Sequence, residues 1–238
     1  MLDLDTSSSR LTYLIGGWAA IIGSLMGMVG NLLHPQTPFD DPEGTANVIA
    51  GSDSWITLHL VIVVGVFLML LGLFALYRSI TSPVPQALAQ FGMMAAVVGV
   101  TVGLLLVIID GVATRQLAEE WAAAPPAEQA IAVRLVSANE TVNFSVASLF
   151  NLIFAGATFI FFGLALVTGR DYPRWFGWIA VAAGVLSIGA GLVQAYAGEP
   201  TEASRLLTII GPTVITFWLL VLGTVLIHRP GRLSKETS

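Results

Sequence analysis

The stretch WITLHLVIVVGVFLMLLGLFALY, residues 55–77, carries no charge between Asp53 and Arg78, and it decides the fold class. About 20 mostly apolar residues suffice for a helix to cross the hydrocarbon core of a bilayer. The stretch shows none of the strict alternation of a barrel strand. Five further uncharged runs flank it: 11–33, 79–109, 141–169, 175–198 and 206–227. The sequence therefore predicts an all-α, polytopic membrane protein, a single domain over 1–238 with six transmembrane helices. Their expected bounds are about 11–33, 55–78, 86–111, 141–168, 175–197 and 205–228.

Composition agrees. Of 238 residues, 55% are apolar and 11% charged, with a mean hydropathy of +0.83. A soluble domain carries about 25% charged residues, and disorder needs low hydrophobicity with high net charge. Cysteine is absent, which removes disulfides, iron–sulfur clusters, thiolate metal sites and cysteine nucleophiles. A net charge of −5 argues against nucleic acid as a partner. The lipid bilayer is the expected partner. A metal or haem site would have to be built from the three histidines, His34, His59 and His228, together with carboxylates.

The start MLDLDTSSSR lacks a positive n-region, and the run after it is too long for a signal h-region, so the first segment is expected to stay as a helix. Basic residues set the orientation. With six spans, seven of ten (Arg10, Arg78, Arg170, Arg174, Arg229, Arg232 and Lys235) share one side with both termini. Eleven of fifteen acids fall on the other. The expectation is a bacterial cytoplasmic (inner) membrane with both termini cytoplasmic. The outer connections are then 34–54, turn-rich and acidic with little helical pattern, and 112–140, helical on both sides of Pro125–Pro126.

A faint repeat links FLMLLGLFALYR (67–78), FIFFGLALVTGR (159–170) and WLLVLGTVLIHR (218–229), with Gly17–Trp18 and Gly177–Trp178 opening two other helices. Three parallel helical hairpins would produce it; so would the positive-inside rule alone. Small residues at four-residue steps, such as Gly23–Gly27 and around Gly184–Gly191, allow close helix approach within the fold or between copies in a homo-oligomer. The six tryptophans read mostly as interface anchors, and the glycosylation-type triplets at Asn139 and Asn143 as chance matches at the membrane face.

Polar residues inside a membrane mark function or packing. Here Asn31, His34, His59, Asp110, Glu140, Asn143 and Gln194 gather at one level, the outer one. On the fourth span Ser137, Glu140, Thr141, Ser148, Asn151 and Thr158 share one face at 100° per residue. Turned inward, these faces would line an outward-facing polar cleft for a small molecule or lipid head group, in a sensor, carrier or accessory role. Its expected lining is Asn31, His59, Asp110, Glu140, Asn143, Asn151 and Gln194. No catalytic residue is assigned and no cofactor is required.

Other chemistries stay open. His34, His59, Asp110 and Glu140 could ligate a divalent metal, which would make a membrane enzyme the alternative function. His34 and His59 could be axial ligands of a haem. Asp110, Glu140 and His59 could relay protons. The plainest alternative pairs these groups with Arg115, Arg134 or solvent.

Two stretches carry a family resemblance. TGRDYPRWFGWIAVAAGVLSIGAGL (168–192) holds Pro173, Arg174, Trp175, Gly177 and Trp178. GPTVITFWLLVLG (211–223) holds Pro212, Trp218, Leu219, Leu220, Val221 and Gly223. They resemble a bacterial membrane family, domain of unknown function 4386, whose second motif usually has lysine where this chain has Leu222. The resemblance implies about six helices and brings no activity or catalytic residue with it.

Overall fold

The computed structural model describes residues 2–38, 40–198 and 201–229, with the side chains of residues 2–6 and Arg205 left undescribed. Arg232, Lys235 and Glu236, which enter the charge count above, lie outside the described residues. Among the described residues seven helices form: α1 (Leu2–Leu33), α2 (Pro42–Gly51), α3 (Trp55–Ser79), α4 (Pro83–Ala123), α5 (Gln129–Thr168), α6 (Arg174–Ala197) and α7 (Glu202–Ile227). All but α2 are long and apolar enough to cross a membrane. The protein is an integral membrane protein of six candidate spans.

The helix ends follow local chemistry. Pro83 and Pro42 start α4 and α2, where a missing N–H costs nothing. The α7 start is a reciprocal cap: Ser204 N–H donates to Thr201 Oγ1 at 3.1 Å, and Thr201 N–H donates to Ser204 Oγ at 2.8 Å. The α6 helix stops at Gly198, whose φ of +74° is left-handed and favours glycine.

The α1 helix begins well before residue 11. The helical arms expected on both sides of Pro125–Pro126 are continuous with the spans, α4 running on to Ala123 and α5 starting at Gln129. Residues 34–54, read as a turn-rich connection, contain α2. The side chain of Asp41 accepts from Gly44 N–H at 2.9 Å, Pro42 takes the first turn and Glu43 follows it. This N-terminal capping signal outweighed the surrounding turn residues.

Each span packs on its neighbours in the chain, and α7 closes the ring on α1. The middle is filled by Leu73 and Leu76 of α3, Phe159 and Phe162 of α5, and Leu219 and Leu222 of α7, all fully buried. Outward, large apolar side chains such as Ile15, Ile22, Phe67, Val98, Val185 and Phe217 are exposed, as lipid contact requires. The tryptophans divide: Trp18, Trp175 and Trp178 are exposed, whereas Trp55 and Trp218 are buried at 2% and 3%. Those two are core residues, not interface anchors. Trp218 stacks on Phe176 at 4.5 Å and donates its indole N–H to the Phe176 carbonyl at 2.8 Å.

Lipid tails are as apolar as leucine, so these helices gain by approaching closely. They do so at glycine pairs. A Cβ on Gly23 would lie 2.5 Å from the Gly65 carbonyl oxygen, one on Gly17 2.8 Å from that of Gly223, and one on Gly163 2.7 Å from that of Gly177. The recurrent glycines of the faint repeat thus meet one another: Gly17 crosses Gly223, and Gly177 crosses Gly163. Small-residue faces are in this way used inside the chain.

At the end of the bundle away from His59, Ser79 Oγ and Tyr172 OH lie 2.5 Å apart. Arg229 reaches Asp171 at 3.4 Å and sits over the Tyr172 ring. Burial raises the pKa of the Tyr172 phenol, the Arg229 charge partly opposing it.

The glycine crossings can be tested. Gly163→Val places carbon against the Gly177 backbone and is expected to cost about 1–3 kcal/mol, read as a lower melting temperature in detergent. Gly51→Ala, which meets nothing within 4 Å, should melt like the parent.

Candidate metal centre

The site forms where α1 ends, α3 begins and α4 departs from α-helical register. His34 follows the last residue of α1, and His59 lies one turn into α3 beyond Trp55. Asp110 lies in a π-helical segment, Ile108–Ala113, within α4. The widened turn is stabilised locally. The Ile109 carbonyl accepts the Thr114 backbone N–H and the Thr114 hydroxyl, the latter at 2.9 Å. Asn139 donates its amide to Thr114 Oγ1 at 2.7 Å. Single π turns of this kind recur at functional sites.

The tautomers follow from hydrogen bonding. His34 Nδ1 lies 2.9 Å from the Pro35 carbonyl oxygen, and His59 Nδ1 lies 2.8 Å from that of Trp55. A carbonyl oxygen only accepts, so both Nδ1 atoms carry the hydrogen. In a neutral ring the Nε2 atom is then a lone pair. Burial and the neighbouring His59 lower the His34 pKa, against the pull of Asp110, which favours that neutral ring.

The two Nε2 atoms face each other at 3.3 Å, and His59 Nε2 lies 3.0 Å from Asp110 Oδ2. The three potential ligand atoms of His34, His59 and Asp110 fall within 4.8 Å of one another. Two lone pairs and a carboxylate oxygen at such distances repel unless an electrophile, a proton or a metal ion, lies among them. Tetrahedral zinc, with bonds of about 2.0–2.2 Å, holds neighbouring ligand atoms roughly 3.3–3.5 Å apart. The 3.3 Å and 3.0 Å separations come near that spacing, and with the third pair within 4.8 Å a small shift of the side chains would seat such an ion. They fit a haem poorly: a porphyrin would have to lie between imidazoles whose facing nitrogens are this close.

Trp55 organises the trio. Its indole packs against His34 at 4.7 Å and His59 at 4.9 Å, and its N–H donates to the Asp110 carbonyl at 3.0 Å. Gly111 lets His59 lie on the α4 backbone; a Cβ there would stand 2.7 Å from His59 Cβ. Above them α2 rests on the projecting parts of α4 and α5 through Ala46, Ile49, Trp55, Ala118 and Val136. Arg115 fastens α2 by donating to the Ile49 and Ser52 carbonyls, a cation placed at a helix C-terminus.

Of the other sequence candidates, Glu140 is outside the converging set, with its Oε1 3.2 Å from Thr114 Oγ1 at the end of the π turn. Asn143, Asn151 and Gln194 are buried. Gln194 donates to the Phe144 carbonyl at 2.8 Å, and Asn151 lies 3.5 Å from Thr208 Oγ1. Ser148 and Ser187 bond carbonyls four residues earlier in their own helices. Asn31 is exposed and donates to the Gly27 carbonyl of its own helix at 2.8 Å. Sequence reasoning missed Trp55, Gly111, Thr114 and Asn139. Trp55 stands one helical turn before His59, a spacing that could have flagged it; the π turn leaves no sequence signal.

The chain matches the model of the family described as Domain of unknown function (DUF4386) over residues 15–223, and it belongs to that family. The matched span includes His34, His59, Asp110 and Glu140. No curated protein and no solved structure matches the chain.

Trp55→Phe keeps the ring contacts and removes the N–H donor to Asp110. It should lower stability by about 0.5–1.5 kcal/mol, whereas Trp18→Phe, at an exposed position, should leave thermal unfolding unchanged.

Proposed function

We propose that this DUF4386 member is a metal-binding protein of the bacterial cytoplasmic membrane. His34, His59 and Asp110 hold one divalent ion of borderline softness, such as zinc, at the outer face. The observation that carries this reading is the pairing of both Nδ1 atoms with backbone carbonyls. Metal-bound histidines are held in this way, the outer bond fixing the tautomer and aiming the free nitrogen. The excess of basic residues on the opposite side supports the orientation.

The wider polar cleft, a binding place for a small molecule or lipid head group, has less support. Ser148, Ser187 and Gln194 already spend their donors on backbone carbonyls of the bundle. One atom favours it: Asn143 Oδ1 is buried without a hydrogen-bond partner.

Metal analysis of detergent-purified protein, stripped with chelator and reloaded, tests the proposal. One zinc per chain is expected, and zinc at 100 times its Kd should raise stability by about 2.7 kcal/mol. His34→Ala, His59→Ala and Asp110→Asn should each weaken binding at least about 100-fold, while Asn31→Ala should not. If the parent retains no zinc and its melting ignores added zinc, a proton holds the trio together as an imidazolium–carboxylate pair, and the proposal fails.

A further inference from the structure

Glu140 is the acid that the trio leaves out, and its surroundings are unusual. It forms no ion pair with lysine or arginine among the described residues. Its Oε1 lies 3.2 Å from Thr114 Oγ1, the hydroxyl that closes the π turn carrying Asp110, and Asn143 follows one helical turn further along α5. Asn143 is 5% exposed, and its other polar atom, Oδ1, has no partner. A half-buried carboxylate without a lysine or arginine partner and a buried acceptor without a donor therefore lie one helical turn apart on α5, next to the π turn that carries Asp110.

This arrangement rests on the metal reading above and extends it. Three protein ligands leave a zinc ion one open position, which in catalytic sites holds water. A nearby carboxylate without a counter-ion can take that water's proton, and the free Asn143 Oδ1 can accept a hydrogen bond from a bound donor.

The choice of substrate follows from charge and depth. Arg115, five residues beyond Asp110 on α4, is committed to the α2 carbonyls and to Glu119, which disfavours a phosphate here. A neutral carbonyl fits better. Leu33, Leu60 and Ile108, one or two residues from the three ligands, are exposed apolar groups, while His34 and Asp110 are partly exposed. The site thus opens at the boundary between hydrocarbon and head groups, where the ester links of bilayer lipids lie.

We infer that the centre hydrolyses an acyl ester of a bilayer lipid, with Glu140 as the general base. Water at the open position gives its proton to Glu140 and forms a bond to the ester carbonyl carbon. The carbon–alkoxy bond breaks, and Glu140 returns the proton to the leaving alkoxide. Ester and water become fatty acid and alcohol, with no change in the oxidation state of the metal.

Zinc-loaded protein, reconstituted into phosphatidylcholine vesicles carrying a fluorogenic acyl ester, tests this. Turnover of the ester is expected, with bis(4-nitrophenyl) phosphate left intact. Glu140→Gln should keep one zinc per chain and the parental melting temperature while losing at least about 100-fold in kcat. Zinc bound stoichiometrically with no ester turnover overturns the inference and leaves the metal site standing. Loss of zinc from Glu140→Gln also overturns it, because Glu140 would then be a ligand. Failure of the parent to bind zinc removes both readings.

Discussion

Hydrocarbon offers no partner for a peptide group, so every N–H and C=O of the six spans must be satisfied within the protein. Ordinary α-helix meets this demand along most of the described residues, and the two π-helical departures among them are telling. The π-helical segments Ile108–Ala113 and Asn151–Thr158 each lead to a threonine whose hydroxyl turns back to the carbonyl five residues earlier. Thr114 bonds Ile109 at 2.9 Å, and Thr158 bonds Ile153 at 3.1 Å. A side chain thus helps to satisfy the backbone where the helix widens, and each widened turn carries a polar group, Asp110 in one and Asn151 in the other. The same economy governs packing. Helices satisfied internally can meet backbone to backbone, and Gly17, Gly23, Gly163 and their partners provide the contact.

The histidine centre obeys one rule of hydrogen bonding. Carbonyl oxygens can only accept, so the Pro35 and Trp55 carbonyls place a hydrogen on each Nδ1, and with both rings neutral two Nε2 lone pairs converge on a carboxylate. Trp55 ties the pieces together: its carbonyl orients His59, its indole N–H holds the Asp110 backbone, and its ring packs against both imidazoles. The motifs that resemble the family do a different job. Gly177 makes a helix crossing, and Trp218 ties α7 to the Phe176 carbonyl.

Spans are legible because desolvation leaves a long uncharged run with few alternatives; this is why 55–77 alone indicates a membrane helix. The candidate ligands were legible as the few ionisable groups at the membrane edge. Which of them converge was not. His34 and Asp110 are separated by 75 intervening residues, and their meeting depends on the α1–α3 crossing and on a π turn with no sequence signature. Trp55 was read by type as an interface anchor, yet the short helix α2 lies over it, and α2 itself was obscured by its prolines and acids. Glu140 shares a helical face with the polar stripe, but only the folded chain separates it from the three converging atoms.

The central claim is that these lone pairs hold a metal ion. Zinc K-edge X-ray absorption on the zinc-loaded protein addresses it directly. The account predicts nitrogen and oxygen neighbours at about 2.0–2.2 Å, with the outer-ring scattering of two imidazoles, lost together when His34 and His59 are replaced. A spectrum of oxygen neighbours alone, or one unchanged by those replacements, would contradict it.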